Sequence, residues 1–309
     1  MQSEKIGLDM FNRWKKSTRE ESDKDASQAG TQAEVPTGQP GPYVVHASLQ
    51  TDVGCHREVN EDCGRFIQPG DSELLERKGL LLIVADGMGG HSAGEVASNL
   101  AVNCISRVYY DDSREPQASL TDAVQQANRT IFETAQGDEN LLGMGTTCTA
   151  LVLQNGSAIA AHVGDSRLYL VRDQAIYLMT EDHSAVMEMV KRGLISLEAA
   201  RHHPDKNIIL RALGSQPEVE VSTWERPFPV REGDAFLLCS DGLYDLVEDD
   251  EIRQTVLSGS PHSACEKLIA LAKDRGGHDN ITVGIVSLRP VGTEGKRELR
   301  ETREVEVSK

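Results

Sequence analysis

The chain has 309 residues and a formal net charge of −17, long enough for one large domain or two small ones with a sizeable core. Such acidity argues against a protein that coats nucleic acid, because that affinity comes from basic contacts to phosphate. The longest apolar run, residues 79–85, is too short to span a bilayer.

Residues 1–16 contain no continuous apolar stretch of the secretory kind. Instead Ile6, Met10, Phe11 and Trp14 fall roughly on one helical face beside Lys5, Arg13, Lys15 and Lys16, the pattern of a short helix that docks on a partner or a membrane surface. From about Ser17 to Pro42 hardly any large apolar side chain occurs, so residues 1–42 are expected to be a disordered segment. Strands are expected at 43–48 and 80–84, then helices at about 94–109 and 119–135, each with an apolar stripe of helical period. A strand-rich block follows at 146–154, 157–163, 167–171 and 175–179. Its connections, Asn155-Gly156, Gly164-Asp165 and Arg172-Asp173, are so tight that neighbouring strands must be antiparallel. Residues 182–212 read as a polar helical excursion, and strands return near 218–223 and at 235–239. Helices at about 249–257 and 263–274 precede a last strand at 281–288. Residues 291–309 alternate Lys and Arg with Glu and read as a solvated, charged tail. The six cysteines have no C-x-x-C spacing and several lie in apolar runs, so free thiols in a reducing cytoplasm are expected.

Two antiparallel sheets covered by two pairs of helices accommodate this order. Four aspartates then stand out, each at the junction of an apolar strand and a glycine-containing turn. They are Asp86 in Val84-Ala85-Asp86-Gly87-Met88-Gly89-Gly90-His91, Asp165 in Val163-Gly164-Asp165-Ser166-Arg167, Asp241 in Cys239-Ser240-Asp241-Gly242, and Asp279 in His278-Asp279-Asn280. Carboxylates at strand ends can converge on one rim of a sheet. They repel unless a cation joins them, and an all-oxygen set suits Mg²⁺ or Mn²⁺. Taken singly, an Asp-Gly pair is more often a turn than a ligand; it is the set, with Arg57, Glu61 and Asp62 upstream, that points to a metal-dependent hydrolase.

Seven motifs in order carry a specific resemblance: Asp86-Gly87-Met88-Gly89-Gly90-His91, Gly145-Thr146-Thr147, Val163-Gly164-Asp165-Ser166-Arg167, Glu181-Asp182-His183-Ser184, Arg211-Ala212-Leu213-Gly214, Ser240-Asp241-Gly242-Leu243 and Asp279-Asn280. Over about residues 45–288 the chain resembles the metal-dependent protein phosphatases of type 2C, the PPM family, in their bacterial form. The resemblance implies an α+β fold, an α-β-β-α sandwich over residues 43–290 with a helical flap at about 182–212. It implies hydrolysis of phosphoserine and phosphothreonine in proteins, opposing a Ser/Thr kinase. It also implies two Mn²⁺ or Mg²⁺ ions and a third, weaker site. Asp86 would bridge the two ions, Gly87 would offer its carbonyl, and Asp241 and Asp279 would complete the ligands. Glu61 and Asp62 would hold the surrounding waters, and Asp165 with Asp241 would hold the third ion. Arg57 would clamp the phosphate with its planar fork of donors. Relatives from eukaryotes carry a histidine where this chain has Met88, which leaves His91 as the nearest candidate acid for the leaving group. The expected protein is a monomer. The alternatives are a catalytically inactive phosphoprotein-binding scaffold and a two-metal nuclease, the second disfavoured by the lack of a basic stripe.

Overall fold

The computed structural model describes residues 43–89 and 93–290, together with the backbone of residues 304–307. Residues 1–42, and with them the amphipathic stretch and expected disorder, lie outside the described residues. Two antiparallel sheets pack face to face. The first has the order β1 (Tyr43–Asp52), β12 (Ile281–Pro290), β11 (Ala235–Cys239), β7 (Arg167–Arg172), β8 (Ala175–Leu178). The second runs β10 (Phe228–Pro229), β6 (Ser157–Val163), β5 (Cys148–Gln154), β3 (Leu80–Met88), β2 (Asp62–Ile67), with β4 (Gly145–Thr146) beside β3 and β9 (Ser222–Thr223) beside β6.

Every central strand is buried on both faces, which is why β3 reads as an unbroken apolar run rather than an alternation. Leu80, Leu82 and Val84 enter the cluster between the sheets, with Leu49, Phe236, Leu238 and Val286 from the opposite sheet. Leu81, Ile83 and Ala85 face the other way and pack on α2 (Ala93–Asp111) and α3 (Pro116–Gly137). On the far side Ile281, Val283 and Ile285 of β12 pack against α7 (Asp249–Ser258) and α8 (Pro261–Asp274). Local chemistry starts these helices where they start: Pro261 occupies the first turn of α8, and the Ser260 hydroxyl accepts from Ser263 N–H. The result is the expected sandwich of two antiparallel sheets between two helix pairs.

Shorter elements complete the chain: α1 (Ser72–Lys78), α4 (Ala185–Lys191), α5 (Leu197–Arg201) and α6 (Asp241–Tyr244). The helical excursion of residues 182–212 contains α4 and α5, closed at its base by a bridge between Ser184 and Ile209. One feature departs from the expected charged tail. The backbone of β13 (Glu304–Val307) pairs with Gly64–Ile67 of β2. Glu-Val-Glu-Val has the two-residue period and β-branched content of a strand, a signal hidden by the surrounding Lys, Arg and Glu.

Candidate metal centre

The four aspartates stand at one rim shared by both sheets. Asp62 and Asp86 are directly opposite each other on β2 and β3. Asp86 is held through its own backbone: its N–H donates to Thr147 Oγ1 at 2.9 Å, and its carbonyl accepts from Thr147 N–H at 2.8 Å and Thr146 Oγ1 at 2.9 Å. Thr147 Oγ1 also meets Ser166 Oγ at 2.6 Å, next to Asp165. Asp62 Oδ2 accepts from Ser240 Oγ and Thr282 Oγ1, both at 2.7 Å. Thr282 lies in β12 and Ser240 directly follows β11 of the first sheet, so these bonds cross the sandwich. Asp241 is the first residue of α6, and Asp279 stands just before β12.

The loop bearing Arg57 is pinned to the same rim by Asn280. Its Nδ2 donates to Val53 O and Val59 O, each at 3.0 Å, and its Oδ1 accepts from Glu61 N–H at 2.8 Å. Arg57 reaches back, with Nη2 2.8 Å from Asp279 Oδ2 and Nη1 3.7 Å from Glu61 Oε2. Main chain approaches main chain closely here. A Cβ on Gly87 would stand 2.2 Å from Gly94 O and 2.5 Å from Glu61 O, and one on Gly242 2.0 Å from Asn280 O. Only glycine leaves room for that, and it keeps the Gly87 carbonyl beside Asp86.

Electrostatics mark the rim as incomplete without cations. Burial, then the charges of Asp62, Asp241, Asp165 and Asp279, hold the Asp86 carboxyl well above its ordinary range. Burial, then Asp165, Asp245, Asp279 and Asp62, does the same to Asp241. Burial and then Asp182 push Asp165 up to about 7, although Arg167 pulls the other way. Asp62 is pushed to about 6 by burial, against the pull of its two hydroxyl donors. Desolvation plus like charge is the cause throughout. Asp62 Oδ1 and Asp241 Oδ1 are buried and meet no donor. Among the described residues no three His, Cys, Asp or Glu side chains close into a ready-made cage. The carboxylates instead act on one another across a gap, as expected where waters fill much of each ion's sphere. An oxygen-only donor set with orphaned buried oxygens fits hard divalent ions.

Of the residues expected at the site, the rim brings together Arg57, Glu61, Asp62, Asp86, Gly87, Asp165, Asp241 and Asp279, while His91 lies outside the described residues. Sequence reasoning gave no role to Thr147, Asn280 or Asp245. The first two stood inside quoted motifs, but nothing in those motifs says which hydroxyl or amide braces a backbone. A family model described as protein phosphatase 2C matches residues 71–270. Over 248 residues the chain is 40% identical to the serine/threonine phosphatase stp of Listeria monocytogenes, covering 78% of this chain and 95% of that one. The chain belongs to the protein phosphatase 2C family. Among solved structures, this family member superposes on the Mycobacterium tuberculosis serine/threonine phosphatase PstP/Ppp with a TM-score of 0.70 at 37% identity, over 79% of this chain and 99% of that one. It also matches the catalytic domain of a serine/threonine phosphatase PstP in complex with 2 manganese ions, with a TM-score of 0.67 at 35% identity over 80% and 99% of the two chains. In this phosphatase 2C chain no helix among the described residues is long and apolar enough to cross a membrane.

Proposed function

We propose that this metal-dependent serine/threonine protein phosphatase removes phosphate that a bacterial Ser/Thr kinase has placed on cytoplasmic proteins, and that it acts as a monomer. The observation that carries the catalytic reading is the mutually repelling group Asp62, Asp86, Asp165 and Asp241, the first and third buried and the other two half-buried, at the rim that Arg57 reaches through Asp279. Asp86, Asp241 and Asp279, with the Gly87 carbonyl, would hold two Mn²⁺ or Mg²⁺ ions, and Asp165 with Asp241 a third, weaker one. When bound, the ions acidify water and neutralise charge that builds on the phosphoryl oxygens.

The chain's own residues supply the rest. Arg57 offers two parallel N–H donors to the phosphate, and its present partner Asp279 holds the guanidinium at the mouth of the rim. Asp62 is fixed from one oxygen by Ser240 and Thr282, so its free Oδ1 is aimed and can accept a water proton. Glu61 sits between Arg57 and the Gly87 backbone, where it orders water on the approach side. His91 is proposed as the acid that protonates the leaving serine or threonine oxygen. The segment 182–212 is proposed as a flap that shapes access. The inactive-scaffold alternative finds no support: all four aspartates are present and the relatives are named phosphatases.

Hydrolysis of a phosphothreonine peptide, with Mn²⁺ or with EDTA, tests the reading beside the Asp241→Asn variant. Expected is Mn²⁺-dependent phosphate release that the variant loses while staying folded by circular dichroism. Folded protein that releases no phosphate with any divalent ion would overturn it.

A further inference from the structure

The flap buries few apolar side chains, Val186 and Ala200 among them, and ion pairs supply its contact with the helical turn beside the metal rim. Leu194, Leu197, Ile208 and Leu210 are among its exposed side chains, Leu194 at 69%. What ties its body to the neighbouring helical turn is a set of ion pairs: Arg201 with Glu248 and Asp249, and Lys206 with Asp245. An element held in this way, with little apolar contact, lies at the low-stability end of a fold.

Asp245 differs from an ordinary surface partner. It follows Asp241 by one helical turn, donates its N–H to Asp241 O at 3.0 Å, and is only 12% exposed. Residues four apart on a helix share a side, so Asp245 stands behind Asp241. Its negative charge is felt at both Asp241 and Asp165. Tyr244, its neighbour, donates its hydroxyl to Asp165 O at 3.1 Å. Arg167, also close by, is committed to Asp182 in a buried pair and stacks 3.8 Å from the Tyr244 ring. The ammonium that answers Asp245 comes from the flap.

We propose that Lys206 is a latch standing in for a further divalent cation: the flap docked through Lys206, and an ion drawn to Asp165, Asp241 and Asp245, compete for Asp245. The proposal rests on the metal reading above and adds its regulation. Linkage makes the competition reciprocal. Ion binding loosens the flap, and a docked flap weakens that ion while leaving the pair at Asp86 untouched. Access to phosphoprotein is thereby tied to how fully the rim is loaded.

Lys206→Met keeps the stem and removes the charge. Mn²⁺ binding is followed by the electron paramagnetic resonance of free Mn²⁺, and flap opening by deuterium uptake over residues 197–210. The weakest class of bound Mn²⁺ is expected to tighten about five- to tenfold in the variant, a usual size for coupling between sites, with the tighter ions unchanged. Lys191→Met removes a flap charge paired with Glu181 and Glu188 instead, and should leave the weak class as in the wild type. Wild-type uptake should rise as the weak class fills, whereas Lys206→Met should be open from the start. Equal weak-class affinity in Lys206→Met and wild type overturns the latch, as does uptake indifferent to Mn²⁺. Phosphate release at Mn²⁺ concentrations that fill only the tight class reports on the phosphatase reading separately, since it survives a failed latch. Absence of all Mn²⁺ binding sinks both.

Discussion

Thr147 holds the Asp86 N–H with its hydroxyl and meets Ser166 with the same oxygen. Thr147→Val keeps the shape but strands that N–H in a buried rim. A buried donor left without a partner costs about 1–3 kcal/mol, so the variant should melt earlier by calorimetry and bind Mn²⁺ more weakly. A retained melting point with normal Mn²⁺ affinity would show that the hydroxyl braces nothing. The carboxylates themselves predict a pH effect in the metal-free enzyme. Asp165 is pushed to about 7, and Asp86 and Asp241 well above the ordinary range, by burial first. From about pH 4, the ordinary carboxylate value, up to about pH 7 the folded protein therefore keeps a proton at Asp165 that the unfolded chain has lost, so stability falls as pH rises through that range. The slope is about 1.4 kcal/mol per pH unit for each retained proton. His162 and His183, pushed down to about 4 and about 3 by burial, stay neutral in the fold while the unfolded chain protonates them below about pH 6.5, so they offset part of the decline there. Thermal melts in EDTA at several pH values should show the decline, and saturating Mn²⁺ should flatten it. A flat profile in EDTA would mean that the rim carboxylates are solvated.

Strand and helix positions far from the rim carry stability without chemistry. Arg172 on β7 and Asp234 before β11 form a buried two-pronged pair, 2.7 Å on each prong, with Asp234 also accepting from Arg231 N–H. Removing one partner of such a pair costs about 3–5 kcal/mol, because the other charge stays buried. Asp234→Ala should therefore lower the denaturation midpoint sharply while kcat of the folded fraction is unchanged. Loss of kcat at full folding would place this pair in the active machinery instead. The elements most legible in the sequence are those with a long single period, such as β3, β6, α2 and α3. β2 was missed because Gly64 and Arg65 interrupt its pattern, although its partner strands bury it. α1 is only seven residues, Ser72–Lys78, and carries no full apolar stripe. Ligand-type residues at the rim could be read because strand ends and glycine turns flank them. The bracing could not: Arg57 to Asp279 and Asp62 to Thr282 join positions more than two hundred residues apart, and no local pattern records such pairings.

A molecule with a net charge of −17 repels acidic phosphoproteins at long range. Screening relieves that repulsion over roughly a Debye length of about 10 Å at 0.1 M salt, so KM for an acidic phosphopeptide should fall as ionic strength rises from low values. A KM that climbs with salt would point to a basic docking surface. Deleting residues 1–42 should leave hydrolysis of small phosphoesters at its full rate, since β1 begins at Tyr43 and every residue placed at the rim above lies after it; a large loss of rate would give that segment a catalytic part. The pairing of β1 with β12 alone, among the described residues of its sheet, has a temporal meaning. During synthesis the first strand of the fold waits, unpaired, for residues made some 230 positions later. Asp279 and the hydroxyl of Thr282 that steadies Asp62 arrive in the same late stretch. A chain halted at residue 275 is expected to bind no Mn²⁺ tightly and release no phosphate. The ribosome thus holds this phosphatase silent until Asp279 and β12 have been added, and a copy halted before them cannot strip phosphate from its neighbours.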